Sequence, residues 1–231
     1  MNTTNMPGTP LLIHEALDIS TGSIAAVVGC GGKTSLIELL AKSLADKRVL
    51  VSPTTKMFPM KTDGFDCVGV FHEDSGKLGA LPGDELAALI PQYDMTLLEA
   101  DGSKGFFAKG WQDGEPVIPD YCTHTVGVVT LRALGLAATG AAVHRLPEFL
   151  SLTGLHEGEI ISAEALSTMV CAPRGMFKNS VGRRFLIVNQ VESEEAAQAA
   201  RSFLTMIKKR YPGRFERHIY GSIRCKTWLE V

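Results

Sequence analysis

Apolar residues in this chain fall into short runs separated by stretches of helical spacing. Segments 24–28 (IAAVV), 48–52 (RVLVS), 66–71 (DCVGVF), 95–98 (MTLL), 125–130 (TVGVVT) and 184–189 (RFLIVN) are rich in valine, isoleucine and leucine and read as buried strands, with 215–220 (FERHIY) as the last one. Between them, Leu36, Leu39, Leu40 and Leu44, then Leu86, Leu89 and Ile90, then Ala196, Ala200, Phe203, Leu204 and Ile207 recur every three or four residues, as one face of a helix does. This alternation predicts an α/β fold: a mostly parallel sheet flanked by helices in three layers. Residues 102–120, with their glycines and prolines, read as a long loop. Residues 131–183, with helices near 145–153 and 162–171, read as a helical elaboration of a single domain spanning 1–231.

One turn in this pattern carries chemistry. Gly29-Cys30-Gly31-Gly32-Lys33-Thr34-Ser35 follows the first strand and opens the first amphipathic helix, the context of a phosphate-binding loop. Glycines let successive N–H groups turn inward toward phosphate oxygens, and the helix N-terminus adds its positive dipole end. Lys33 adds a full charge, and Thr34 offers a hydroxyl to Mg²⁺. The expected fold is therefore P-loop NTPase-like. The loop is two residues shorter than G-x-x-x-x-G-K-[ST], with Val27 where the first glycine would stand. In this it is similar to the shortened phosphate loops of the muramyl ligases.

A nucleotide site also needs a carboxylate for magnesium at the end of a neighbouring strand. Met95-Thr96-Leu97-Leu98-Glu99-Ala100-Asp101-Gly102 supplies Glu99 and Asp101 as metal candidates, with the division of labour between them open. The second strand ends in Ser52-Pro53-Thr54-Thr55-Lys56, at the sheet edge where ligands of parallel sheets bind, so Thr54, Thr55 and Lys56 are candidates for the γ-phosphate or its acceptor. Lys104, just past the acids, is a candidate for stabilising charge in phosphoryl transfer; the alternative for both lysines is a solvated surface position. The sixth strand ends in Asn189-Gln190-Val191-Glu192, where guanine-nucleotide proteins carry N-K-x-D. Asn189 and Gln190 are therefore candidates for the base, adenine or guanine, with a helix cap at Ser193 as the plainer reading. Gly221-Ser222-Ile223 is a weaker candidate for the other wall of a base pocket. His144-Arg145, just before a helix, is a candidate for the ligand edge, with a solvent-exposed pair at a helix start as the plainer reading.

Composition narrows the function classes. A formal charge of −2 gives no general attraction to nucleic acid or to an anionic membrane, and no run approaches the length of a membrane span. The N-terminal segment MNTTNMPGTPLLIHEALDIS lacks the pattern of a leader. Five scattered cysteines without a C-x-x-C pair argue against a disulfide framework and a cysteine-built zinc site, and they suit a reducing cytoplasm. The six histidines show no metal-binding spacing.

Taken in order, VVGCGGKTSL (27–36), SPTTKMFP (52–59), LLEADGSKG (97–105), EPVIP (115–119), VGVVTLRALG (126–135), HRLPEFLSLTG (144–154), GMFKNSVGRR (175–184) and LIVNQVES (186–193) resemble the YqeC family. These are accessory proteins associated with selenium-dependent molybdenum hydroxylases. The resemblance implies a P-loop protein that serves maturation of such an enzyme through nucleotide binding, with the hydroxylase or its cofactor-insertion machinery as partner, and it adds Lys178 to the site candidates. The expected activity is Mg²⁺-dependent binding of ATP or GTP with hydrolysis or phosphoryl transfer. In that activity Lys33, Lys56, Lys104 and Asp101 are the catalytic candidates, and residues 29–35 cradle the phosphates. Two alternatives stand beside it: ATP-driven carboxylate activation of the muramyl-ligase kind, and a non-catalytic, nucleotide-gated scaffold.

Overall fold

The computed structural model describes residues 10–44 and 46–231. Part of the N-terminal segment read above, residues 1–9, lies outside them. The central sheet has eight strands: β1 (Ile24–Gly29), β2 (Val49–Pro53), β3 (Asp66–Cys67), β4 (Met95–Glu99), β5 (His124–Thr130), β6 (Arg183–Asn189), β7 (Arg217–Ser222) and β8 (Thr227–Glu230). Their order across the sheet is β8-β7-β6-β5-β1-β4-β2-β3, and every pairing is parallel except β7 with β8. The helices are α1 (Ile13–Ala16), α2 (Lys33–Ser43), α3 (Gly83–Leu89), α4 (Leu146–Thr153), α5 (Ala163–Cys171) and α6 (Glu194–Arg210).

The period of two along each strand builds the two halves of the core. Ala25 and Val27 of β1, with Val51 and Leu97, face Leu36, Ile37 and Leu40 of α2. Ala26 and Val28, with Leu50, Leu98 and Val188, face the layer of α5 and α6, where Leu166, Met169, Phe203, Leu204 and Ile207 are buried. This is the three-layer arrangement expected from the sequence. Helix starts follow local chemistry: the Ser162 and Ser193 hydroxyls accept from the amides of Ala165 and Ala196, each at 3.2 Å. Glu194 and Glu195 stand at the positive end of α6 and Lys208, Lys209 and Arg210 at its negative end.

Three expectations need correction. The run 66–71 is not one strand: Asp66–Cys67 joins the main sheet, while Val70–His72 pairs with Lys77–Gly79 in a small antiparallel sheet that also takes in Lys56–Met57. The strand of 217–222 is not the last, because β8 returns antiparallel along it and buries Trp228. The loop 102–120 contains a two-residue strand, Ala108–Lys109, paired in parallel with Val143–His144. That short pairing draws Lys109, His144 and Arg145 to the carboxyl edge of the sheet.

Candidate functional site

At that edge β1 runs directly into the glycine loop, flanked by β4 and β5 on either side. Gly31 and Gly32 have φ of +99° and +116°. A Cβ on Gly31 would lie 2.8 Å from the Thr130 side chain, and one on Gly32 would lie 2.6 Å from the Asn189 amide nitrogen. Both backbone conformation and space therefore demand glycine. The Asn189 side chain fixes the loop from β6: its Nδ2 donates to the Gly31 carbonyl at 2.7 Å, and its Oδ1 accepts from the Ile223 amide at 3.1 Å.

Lys33, the first residue of α2, is 4% exposed, and its ammonium donates to the Gly29 carbonyl at 2.7 Å and to Ser103 Oγ at 3.2 Å. It also pairs with Asp101 at 3.2 Å. Asp101 is fully buried and surrounded by donors: both oxygens lie 3.1 Å from the Gly29 amide, while Oδ2 accepts from Trp111 Nε1 at 2.7 Å and from Lys109 Nζ at 3.2 Å. Burial alone would raise its pKa, but the Lys33 and Lys109 ammoniums and these hydrogen bonds outweigh it and hold the carboxyl below the ordinary range. Burial likewise opposes the charge on Lys33, and the Asp101 and Glu99 carboxylates overcome it, raising the lysine pKa.

Glu99 has a different setting. Its Oε2 accepts from the Thr34 hydroxyl at 2.6 Å, and burial, only partly offset by Lys33 and Thr34, pushes its pKa up. The two acids thus separate. Asp101 organises the lysines behind the loop, and Glu99 with Thr34 opens on a cavity of about 620 Å³, within the range of small-molecule sites.

This cavity brings together Gly31, Gly32, Lys33, Thr34, Ser35, Thr55, Lys56, Glu99, Lys104 and Gln190 from the sequence-derived set. It does not bring in Gly29, Cys30, Thr54, Asp101, Asn189 or Lys178. Cys30 is buried, donates to the Phe107 carbonyl at 3.2 Å and has its thiol pushed by burial to about 12, so it contributes backbone and not thiolate. The Thr54 hydroxyl donates to the Val117 carbonyl at 2.6 Å, tying β2 to the segment after β4. Lys178 donates to the Gln112 carbonyl at 2.6 Å and lines a separate cavity of about 430 Å³ with Trp111, Glu148 and Arg174. Both polar ends of Asn189 are used inside the protein.

Lys77, Ser103, Phe107 and Glu115, which were not singled out by sequence, also line the cavity. So do His144 and Arg145: of the two placements open from the sequence, the pair takes the ligand edge and not the solvent-exposed helix start. Arg145 Nη2 donates to Glu115 Oε1 at 2.6 Å. Burial, with the charges of Lys109, Lys104 and Arg145, lowers the His144 pKa to about 4, so the ring is neutral at pH 7. Lys109, wholly buried, sits in the sequence Phe107-Ala-Lys-Gly-Trp111, and a lysine enclosed by apolar residues was the available signal.

A mostly parallel sheet between two helical layers, with a glycine loop, a buried lysine and a Thr–Glu pair at its carboxyl edge, places the chain among P-loop-like α/β proteins. More particularly, it belongs to the YqeC family: the family model described as YqeC protein matches residues 25–147. The uncharacterized protein YqeC of Escherichia coli (strain K12) is 30% identical over 214 residues, covering 81% of this chain and 83% of that protein. Among the described residues, no helix is long and apolar enough to cross a membrane.

Proposed function

We propose that the cavity binds the triphosphate of ATP or GTP with Mg²⁺ and supports hydrolysis or transfer of the terminal phosphoryl group. What carries this reading is the Thr34–Glu99 contact at 2.6 Å beside Lys33 at the start of α2. The loop amides of Gly31 and Gly32 and the N-terminal end of α2 receive phosphate oxygens, and Lys33 neutralises them. Ser103 and Asp101 hold the Lys33 ammonium in place beforehand. Lys56, Lys77 and Lys104 supply further positive charge around the same cavity.

The donor set also fits magnesium, which takes one or two carboxylates with phosphate oxygens and water and needs no all-protein cage. Among the described residues no cluster of three or more His, Cys, Asp or Glu is gathered for a metal. Thr34 and Glu99 would hold the ion, which when bound neutralises charge developing on the phosphate oxygens. By family resemblance, the activity serves maturation of a selenium-dependent molybdenum hydroxylase in the cytoplasm, with that enzyme or its cofactor-insertion machinery as partner.

The test is titration of a fluorescent ATP or GTP analogue with and without Mg²⁺. Lys33→Ala is expected to abolish binding, and unchanged affinity in that variant overturns the reading. Release of nucleoside diphosphate by the purified protein then separates an enzyme from a nucleotide-gated scaffold.

A further inference from the structure

Among the described residues, five non-glycine residues adopt positive φ, and three of them, Lys104 (+49°), Arg145 (+58°) and Gln190 (+65°), line the one cavity beside the phosphate loop. A side chain costs on the order of 1 kcal/mol or more in this conformation, and glycine would remove the cost. Backbone strain of this kind collects where a side chain is needed for function. Gln190 is accounted for inside the fold, because its Oε1 accepts from Thr130 at 2.7 Å. Lys104 and Arg145 are not: they reach the cavity from the 102–120 loop and from the start of α4.

Arg145 has spare donor capacity. Nη2 is held by Glu115 and Nε is buried beside the likewise unpartnered Glu115 Oε2, but Nη1 makes no hydrogen bond among the described residues and the side chain, 22% exposed, lines the cavity. Glu115 Oε1 fixes the guanidinium, and Lys109 lies 3.7 Å from the other Glu115 oxygen. Next to these residues is a second hollow of about 490 Å³, which shares Lys104, Gly105 and Phe107 with the first and continues onto Phe106, Leu136 and Ala142. The Arg132 guanidinium lies over the Phe107 ring at 4.7 Å, and Phe106 stacks on His144 at 5.9 Å, so the ring-lined wall is pinned from both sides.

The geometry points to a second-substrate subsite: Arg145 and Lys104 bind the anionic group of a small organic acid or phosphate ester, and Phe106, Phe107 and Leu136 receive its apolar body. This rests on the nucleotide reading in that the subsite is taken as the acceptor arm of the same cavity. An arginine fork suits the paired oxygens of a carboxylate or phosphate. The neutral His144 ring adds a polar group to the wall without adding charge.

Phenyl phosphate, inorganic phosphate and benzyl alcohol serve as probes, measured by ligand-observed NMR on the full chain, alone and with a saturating non-hydrolysable ATP analogue. Phenyl phosphate is expected to bind in both conditions and more tightly than either other probe. Arg145→Gly relieves the positive φ but strips Glu115 of its partner, so it should keep the wild-type circular dichroism spectrum at the assay temperature and weaken phenyl phosphate roughly tenfold or more. Leu136→Ser, at an exposed position, should weaken phenyl phosphate and leave inorganic phosphate unaffected. Displacement of phenyl phosphate by the ATP analogue, or equal affinity in Arg145→Gly, overturns the subsite. Loss of nucleotide binding in Lys33→Ala with phenyl phosphate retained supports both readings. Failure of the wild-type chain to bind nucleotide, with phenyl phosphate still bound through Arg145, overturns the nucleotide reading alone.

Discussion

Replacing Asp101 by asparagine keeps its shape and removes its charge, and the structure makes the outcome severe. Every group facing the carboxylate is a donor: the Gly29 amide, Lys33, Lys109 and the Trp111 indole N–H. An asparagine offers one oxygen to this set and turns an NH₂ group against the remainder, while two buried ammoniums lose their counter-ion. Removing one partner of a buried ion pair costs about 3–5 kcal/mol. For a chain of this length each kcal/mol corresponds to about 2–4 °C, so Asp101→Asn should lower Tm by roughly 6–20 °C. Urea unfolding by circular dichroism gives the free energy directly. The sign of the pH dependence is a second check. The folded carboxyl lies below its ordinary 3.8, so its contribution is fully present above that value and is lost as pH falls through the folded pKa. Wild type and Asp101→Asn should therefore converge in acid. Adding Lys109→Met to Asp101→Asn should recover part of the loss, because it removes one of the stranded charges. A single-variant loss below about 1 kcal/mol at pH 7, where an intact buried pair predicts several, refutes the view that Asp101 organises the site.

Glu99 predicts the opposite sign. Its folded pKa is raised, so stability is fully present below the ordinary carboxylate pKa and is lost as pH rises through the folded value. Glu99→Gln should melt higher than wild type at pH 7 yet lose the Mg²⁺ dependence of nucleotide binding. For His144, whose pKa falls to about 4, stability is present above the ordinary 6.5 and lost as pH drops between those values. His144→Gln should flatten that part of a pH–stability curve measured by calorimetry. Gly32→Ala, with a Cβ 2.6 Å from Asn189 Nδ2 at a φ of +116°, should cost about 1 kcal/mol or more in urea unfolding and abolish nucleotide binding.

The β1–loop–α2 unit was legible because everything it needs is local: an apolar run, glycines and a helix-spaced face within twenty residues. The parallel sheet was legible from alternation alone. The short pairing of Ala108–Lys109 with Val143–His144 was not, since two-residue strands carry no period and their partner lies in another segment. Glu99 and Asp101 were found as a pair, but their roles could not be told apart. The four donors that enclose Asp101 come from the loop, from α2 and from the segment after β4, and only the fold brings them together. Lys178 was drawn in by its surrounding motif, and its placement on a neighbouring cavity reflects the path of the chain after α5.

The clamp on the glycine loop also fixes when that loop can become whole. Asp101 lies 72 residues after the glycine it braces, and Asn189 lies 158 residues after the carbonyl it holds. At about 5–20 residues per second, synthesis separates Gly31 from Asn189 by roughly 8–32 seconds. During that interval the glycines are made but unsupported, so a nascent chain stopped before β6 should carry the motif and fail to retain nucleotide. On the nucleotide reading proposed above, ligand capture comes among the last steps on the ribosome, although the motif is among the first to emerge.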